Sequence, residues 1–182
     1  MSDNQDPRRL KIRTTHAAMK EPLRLKPKQL ARYIAEHDCL AHLSREQREV
    51  IRKIIIEVET EGHKRRYFFR PSDCLCNAQM LALRCTRIMY HEGVCVDGDD
   101  AVHHGWNSID GTEFDITAAI NIGAMLERLP NERTDTLKHL VERHRARTLL
   151  GKKFDWDALV GHVFGGGYRA MLTEDEVLAF FG

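Results

Sequence analysis

The sequence predicts an α+β protein, because segments with helical spacing lie on both sides of a short stretch of strand-like text. Apolar residues recur every three or four positions from Val50 to Val58, and again from Ala78 onwards. Between residues 93 and 117, short strand-like runs are separated by turn residues, and Asp110-Gly111 is a strong hairpin signal. With 182 residues, of which 42% are apolar and 30% charged, the chain is long enough to bury its own core.

The N-terminal part of the chain predicts two helices. Four residues share one face of the first helix: Leu30, Tyr33, Ile34 and His37. The second helix begins at Ser44, since Ser44-Arg-Glu-Gln47 is a capping-box pattern, and we expect it to end at Gly62 as a C-cap. The basic cluster that follows, His63 to Arg66 with Arg70, indicates a solvated helix end rather than part of a substrate path.

Positive charge is concentrated near the start of the chain. Residues 1–32 hold nine Lys and Arg against three Asp and Glu, a net charge of +6, whereas the whole chain carries only +1. The near-neutral net charge of the whole chain excludes a general binder of polyanions. The basic segment fits either an arm for nucleic acid or an acidic partner, or a solvated leader, and the lack of an aromatic residue to stack on a base favours the leader. We expect a basic, helical N-terminal segment over residues 1–65 and the main domain over residues 66–182, with a single domain over the whole chain as the alternative.

The middle of the chain predicts a third helix and then short strands. Pro71-Ser-Asp-Cys74 contains residue types that favour a helix start, and helical spacing continues to about residue 90. The strands that follow are expected over residues 93–96, 101–109 and 112–117, with an acidic turn at residues 97–100.

The last third of the chain returns to helices. Residues 132–150 are rich in Arg and Leu, and Thr173 to Glu176 form another capping box that opens a short helix. Gly165 to Gly167 lack the phosphate-loop pattern and the preceding strand, so they indicate a flexible loop or a turn between helices.

The cysteines do not form an obvious disulfide framework. The chain has five: Cys39, Cys74, Cys76, Cys85 and Cys95. Their odd number, and a start without an apolar signal segment, favour reduced thiols in the cytoplasm. Cys74 stands out because a thiolate is the nucleophilic form of cysteine, and the N-terminus of a helix favours negative charge. A cysteine in this position is suited to acyl transfer.

The hairpin brings a histidine and a carboxylate together. A two-residue loop at Asp110-Gly111 places His104 opposite Thr117 across the hairpin. His104 and Asp115 then share one face as diagonal neighbours, roughly 7–8 Å apart at the backbone. The carboxylate would fix the tautomer of the imidazole and leave its other nitrogen to serve a nucleophile. His103 falls on the opposite face, and a slip of one residue would exchange the two histidines.

These residues follow the pattern of a known enzyme superfamily. The matching text is Cys74-Leu-Cys-Asn77-Ala78, then Tyr90-His-Glu-Gly93, then His104-Gly-Trp106, and finally Asp115-Ile-Thr117. It resembles the papain-like superfamily of cysteine hydrolases in its transglutaminase-like and NlpC-type branches, and is similar to small bacterial and phage proteins with these motifs. The resemblance covers residues 72–118, about a quarter of the chain.

The resemblance implies a papain-like core, in which a cysteine-bearing helix packs on a small antiparallel sheet, with extra helices before and after it. It also implies thiol-dependent acyl transfer or hydrolysis at amide bonds, with Cys74 as nucleophile, His104 as general base and Asp115 orienting the histidine. It implies no cofactor, and we expect a protein or peptide substrate. The sequence departs from the pattern at Gly105, where Ala is commoner, and after Thr117.

Further residues are expected to support the site. Asn77, one turn into the helix, would hydrogen-bond a neighbouring loop, and Trp106 would pack beneath the site. The backbone N–H of Cys74 is the natural donor to the acyl oxygen. The second donor is left open among three residues: Asp73, Ser72 and Arg70.

Other interpretations compete with this one. Cys76 is the nucleophile if the helix begins later, and Glu92 is either a second acid at the pocket or, as we favour, a turn residue. A structural zinc would draw on soft ligands with unusual spacing: Cys74, Cys76, Cys95, His103 and His104. A non-catalytic binding protein, such as a phage-type inhibitor on the same scaffold, would leave Cys74 incidental. No apolar run approaches the roughly 18 residues of a membrane span.

Overall fold

The computed structural model describes residues 40–65, 69–70, 72–98, 100–128 and 133–181. The helix expected around residues 30–37, the basic segment 1–32 and Cys39 lie outside these residues. The described ranges contain both helices and one antiparallel sheet, which confirms the α+β class. None of the helices in these ranges combines the length and the apolar character that a membrane span requires.

Six helices and four strands make up the described part of the chain. The helices are α1 (Arg45–Arg65), α2 (Cys74–Ala82), α3 (Ile116–Arg128), α4 (Arg133–Arg145), α5 (Trp156–Gly166) and α6 (Glu174–Leu178), and a 3-10 turn follows at Ala179–Phe181. The strands are β1 (Ile88–Asp97), β2 (Asp100–Ile109), β3 (Thr112–Phe114) and β4 (Thr148–Phe154). They form one sheet in the order β3-β2-β1-β4, and each neighbouring pair is antiparallel.

The β2–β3 hairpin has the predicted register, because residues 107–109 pair with residues 112–114. Asp110 and Gly111 both have positive φ, 50° and 85°, as a two-residue hairpin turn requires. The prediction that the second strand continues to residue 117 is wrong. The strand ends three residues earlier, because the chain turns there into α3.

The third predicted helix is also shorter than expected, since α2 ends at Ala82 and β1 begins at Ile88. Ile88 and Tyr90 are buried on one face of β1. If the helix continued past Ala82, its three- to four-residue spacing would also place Ile88 on the buried face, after Ala82 and Cys85. A helix and a strand therefore both predict a buried apolar residue at position 88, and apolar spacing alone did not distinguish them.

Strand β4 was not predicted, because residues 132–150 were expected to be helical. Its side chains are mostly exposed, so its sequence carries no alternating pattern. It pairs with β1, and Gly93 stands opposite Gly151. A Cβ on Gly151 would lie 2.5 Å from the ring of Trp106, so the glycine leaves room for the indole against the strand.

The predicted start of α1 is confirmed. The Ser44 N–H donates to the Gln47 side chain at 2.9 Å, and the Gln47 N–H donates to the Ser44 hydroxyl at 3.2 Å. The predicted end at Gly62 is wrong, because the helix continues to Arg65. The core that α1 shares with α2 and the sheet includes Ile51, Ile55, Leu81, Ile88 and Tyr90.

The C-terminal helices follow the predicted signals. Thr173 and Glu176 form the reciprocal capping box of α6. Gly167, with φ of 78°, lies directly after α5, so the glycine run marks the end of a helix.

Candidate active site

Cys74 is the first residue of α2, and only 7% of its surface is exposed. Asp73 occupies the N-cap position, but its side chain makes no capping hydrogen bond. This carboxylate therefore does not occupy the acceptor position at the end of the helix, where backbone N–H groups favour a developing negative charge.

The start of α2 lies directly against β2. A Cβ on Gly105 would stand 3.2 Å from the carbonyl oxygen of Cys74, so the glycine permits a close approach of helix and strand. The buried Asn107 side chain donates to the carbonyl oxygen of Ala78 at 2.9 Å and ties the helix to the sheet. As a result, the Cys74 sulfur lies 3.9 Å from the carbonyl oxygen of His103.

His104 and Asp115 form a buried pair, with 2.8 Å between His104 Nε2 and Asp115 Oδ2. The prediction that Asp115 lies on a strand is wrong. This residue follows β3 and caps the N-terminus of α3. Its other oxygen, Oδ1, accepts the N–H of Ala118 at 3.0 Å. The predicted pair is therefore present, although Asp115 reaches the histidine from a helix cap and Thr117 lies in the first turn of α3.

The charges of this pair stabilise each other. Burial alone would raise the pKa of Asp115, but the charge and hydrogen bond of His104 outweigh it and lower the pKa to about 2. Burial would lower the pKa of His104, whereas the Asp115 carboxylate and then the Cys74 sulfur raise it well above its ordinary value. The raised pKa favours the charged, imidazolium form of the ring. Asp115 engages its Nε2, which leaves Nδ1 for the sulfur.

Two asparagines hold the loop before α2. Asn77 is fully buried: it accepts the Arg70 N–H at 2.9 Å and donates to the Arg70 carbonyl at 2.7 Å and the Thr117 hydroxyl at 3.0 Å. This confirms the loop contact predicted for Asn77. Asn121 of α3 accepts the Ser72 N–H at 2.9 Å, and Ser72 has φ of 62°, which is uncommon outside glycine. Asn121 was not predicted, although a polar residue inside an apolar helix is a usable signal.

Trp106 packs beside His104, as predicted. The two rings are nearly parallel, with 6.3 Å between their centroids, and His91 also stacks on the indole, with 5.5 Å between the centroids. Trp106 is 1% exposed. The indole therefore limits the positions that the His104 ring can adopt.

A second histidine–carboxylate pair lies on the opposite face of β2. Glu92 is fully buried and accepts four hydrogen bonds: from the Tyr90 hydroxyl at 2.7 Å, His103 Nε2 at 2.8 Å, and the N–H groups of Met171 at 2.8 Å and Leu172 at 3.1 Å. Burial would raise the pKa of Glu92, but these bonds lower it. The expectation that Glu92 is a turn residue is wrong. It lies within β1 and anchors the C-terminal segment to the sheet.

Two other cysteines, Cys76 and Cys95, are less suited to nucleophilic attack. Burial, and then the charge of Asp73, raise the pKa of Cys76 to about 12. Burial also raises the pKa of Cys95. Cys74, in contrast to Cys76, begins the helix and lines the cleft beside His104, so the geometry favours Cys74 as the nucleophile.

Cys74 and His104 open into one cleft of about 290 Å³. Its wall near the cysteine is polar and includes Ser72, Thr117 and Asn121. Towards the β1–β2 turn its lining is charged, with Asp97, Asp100 and Arg147. The sequence analysis identified the two aspartates only as turn residues and did not identify Arg147.

Comparison of the chain with known protein families, with curated proteins and with solved structures finds no match. In the described part of the chain, no three His, Cys, Asp or Glu side chains converge as a set of metal ligands.

Proposed function

We propose that this protein is a cysteine-dependent enzyme that hydrolyses or transfers acyl groups at amide bonds. The observation that carries the proposal is that Cys74, at the start of a helix, shares one cleft with His104, whose ring is hydrogen-bonded to the buried Asp115. A cysteine-bearing helix packed on an antiparallel sheet that carries the histidine supports a papain-like core of the transglutaminase-like type. A protein or peptide is the expected substrate.

Each of the three residues has a defined role in the proposed reaction. The Cys74 thiolate attacks the amide carbonyl carbon, and the carbonyl oxygen takes up negative charge next to the Cys74 backbone N–H. The C–N bond then breaks as the His104 imidazolium gives its proton to the leaving amine, which leaves a thioester on Cys74. Asp115 keeps the ring oriented and stabilises its charged form.

The thioester is resolved by water or by a second amine. His104, now neutral, takes a proton from the attacking group, and the thiolate leaves as the acyl group is transferred. Attack by water corresponds to a peptidase, isopeptidase, amidase or deamidase. Attack by an amine corresponds to a transglutaminase.

Alkylation of Cys74 by iodoacetamide tests this proposal. Each cysteine is followed by peptide mass spectrometry between pH 5 and pH 9, in the wild type and in His104→Ala. We expect Cys74 to react quickly at pH 6, where an ordinary thiol with a pKa of about 8.5 is almost entirely protonated. His104→Ala should remove this reactivity at low pH, because the imidazolium that stabilises the thiolate is gone.

His103→Ala is the matched control, since it removes the neighbouring histidine and breaks a carboxylate pair on the other face of the same strand. It should leave the pH profile of Cys74 nearly unchanged. If Cys74 reacts like Cys76 at every pH, the catalytic proposal is wrong. A non-catalytic binding protein would then be the better explanation, and stoichiometric zinc bound through Cys74 would indicate a structural metal site.

A further inference from the structure

Three backbone N–H groups in the loop before α2 are candidates for a second donor to the acyl oxygen, beside the Cys74 N–H. Those of Arg70 and Asp73 are engaged: the first donates to the Asn77 side chain at 2.9 Å, and the second to the Arg70 carbonyl oxygen at 3.4 Å. Neither residue is among the described residues that line the cleft. Ser72 does line the cleft, but its N–H is engaged as well. A side chain is therefore the better source of the second donor.

The group that engages the Ser72 N–H is the side chain of Asn121, which itself lines the cleft. Asn121 Oδ1 accepts this N–H at 2.9 Å, and the bond identifies which end of the amide is the oxygen. The other end of the amide is an NH2 group, which can only donate hydrogen bonds. Asn121 therefore brings a neutral donor to the same wall of the cleft as Cys74.

Helix α3 positions Asn121 through contacts at its first turns. Thr117 lies one turn before Asn121 on the same face of the helix, and its hydroxyl accepts Asn77 Nδ2 of α2 at 3.0 Å. At the start of α3, Asp115 caps the helix and holds the His104 ring. One helix therefore carries both the carboxylate that orients the histidine and the amide that lines the cleft.

Two other side chains in the cleft lining have donor groups but are less suited to the acyl oxygen. Thr117 is only 2% exposed, whereas Asn121 is partly exposed and more accessible to a group in the cleft. Arg147 lies towards the β1–β2 turn and is ion-paired with Asp97, whose carboxylate lines the cleft with it. Asn121 is therefore the donor that the geometry favours.

We propose that the side-chain NH2 of Asn121 is the second donor to the acyl oxygen, which makes Asn121 a catalytic residue. When the Cys74 thiolate adds to the carbonyl carbon, one electron pair of the C=O bond moves to the oxygen. The Cys74 N–H and the Asn121 NH2 then stabilise the negative charge together. As the bond to the leaving group breaks, the C=O bond forms again and the charge is lost. This inference rests on the proposed function and adds a residue to its site.

Two reagents that modify the same thiol by different routes test this inference without a known substrate. p-Nitrophenyl acetate acetylates Cys74 through an adduct with a negatively charged oxygen, and p-nitrophenolate leaves. Iodoacetamide alkylates Cys74 by direct displacement of iodide and forms no charged oxygen. Both rates are measured at pH 7 by peptide mass spectrometry after an acid quench. The ratio of acetylation to alkylation reports stabilisation of the oxygen, because the fraction of thiolate affects both rates alike.

Asn121→Ala should lower this ratio by at least about tenfold, because loss of one such donor slows acyl transfer by a factor on the order of 10²–10³. Asn121→Asp keeps an oxygen for the Ser72 N–H but lacks the NH2 group, so it should lower the ratio at least as much. Asn77→Ala is the matched control, since it releases the same loop from α2 and Asn77 is not among the described lining residues. It should change the ratio by less than about twofold, because both donors stay in place.

The outcomes separate this inference from the proposed function. If wild-type Cys74 reacts quickly with both reagents but both Asn121 variants keep its ratio, the assignment of Asn121 is wrong and the cysteine enzyme stands. If Asn121→Asp keeps the ratio, or if Asn77→Ala lowers it as much as Asn121→Ala does, Asn121 only holds the loop and the inference is overturned. A loss of the ratio in Thr117→Val alone also overturns it.

If wild-type Cys74 reacts no faster than Cys76 with either reagent, the proposed function fails and this inference fails with it. Urea unfolding of each variant confirms that it is folded under the conditions of the assay.

Discussion

Replacing Asp115 with Asn removes a buried charge while keeping a side-chain oxygen that can cap α3. The pKa of this carboxyl is about 2 in the folded protein, against about 3.9 in an unfolded chain. A difference of that size corresponds to about 2–3 kcal/mol of stability at pH 7. Asn is as good a capping residue as Asp, so the cap itself contributes little to the loss. We expect Asp115→Asn to lower the free energy of unfolding by about this amount.

The dependence on pH has a definite sign. The pKa of Asp115 is lower in the folded protein than in the unfolded chain. The stability that its carboxylate contributes is therefore fully present above the pKa of the unfolded chain and is lost as pH falls towards 2. The pKa of His104 is raised, so its contribution is complete below about 6.5 and is lost as pH rises through the folded value. Burial lowers the pKa of His144, and the positive charge of this neighbour, when present, also lowers the pKa of Asp115. The difference in the free energy of unfolding between the wild type and Asp115→Asn should be largest between about pH 5 and pH 7 and should become smaller at lower and at higher pH.

Urea unfolding at pH 7, 5, 4 and 3, followed by tryptophan fluorescence and circular dichroism, measures this difference. Asp155→Asn is the matched control. Asp155 caps α5 by accepting the Ala158 N–H at 2.7 Å, but it is exposed. The control should change stability by less than about 0.5 kcal/mol at every pH. If Asp115→Asn is no more destabilising than the control, or if its effect is constant from pH 7 to pH 3, the proposed coupling of Asp115 and His104 is wrong.

Three further substitutions test the surroundings of the site. Asn77→Leu should destabilise the protein by about 3 kcal/mol in urea unfolding, because both backbone groups of Arg70 lose a buried partner, and unchanged stability would contradict this. Glu92→Gln should lower the free energy of unfolding by about 2–4 kcal/mol, because a buried, ionised acceptor of four hydrogen bonds is lost. It should also speed hydrogen exchange of the backbone amides in residues 169–172, and unchanged exchange would exclude the anchoring role of Glu92. Gly105→Ala should slow alkylation of Cys74 severalfold, because the added methyl stands 3.2 Å from the Cys74 carbonyl oxygen, and an unchanged rate would show that the helix adjusts freely.

The pairing of His104 with Asp115 was predicted for a reason that is only partly correct. The two-residue turn fixed the register of the hairpin, and that register is observed for the three pairs that β3 forms. Beyond Phe114 the chain leaves the sheet, because Asp115 serves as the cap of α3. A capping carboxylate keeps one oxygen free for the histidine. Short-range sequence signals therefore identified the partners, but the helix start decided how they meet.

The charged end of the cleft depends on contacts that no local pattern encodes. Arg147 reaches Asp97, fifty residues earlier in the chain, only because β4 pairs with β1. The exposed side chains of β4 give it no periodic signal, since strand prediction depends on alternation between a buried and an exposed face. Glu92 was misassigned for a similar reason. Its four partners come from three separate parts of the chain, and their hydrogen bonds make a buried carboxylate tolerable in the middle of a strand.

The assignment of His104 rather than His103 depends on the register of β2, and the structure specifies that register from both faces. On one face, His103 donates to the buried Glu92, and on the other, His104 donates to Asp115. A slip of one residue would exchange the two histidines and would also move Trp106 to the opposite face. The indole would then lose the space beside Gly151 that accommodates it. Two buried carboxylates and one large ring therefore oppose the slip together, and this is why the neighbouring histidines can have separate roles.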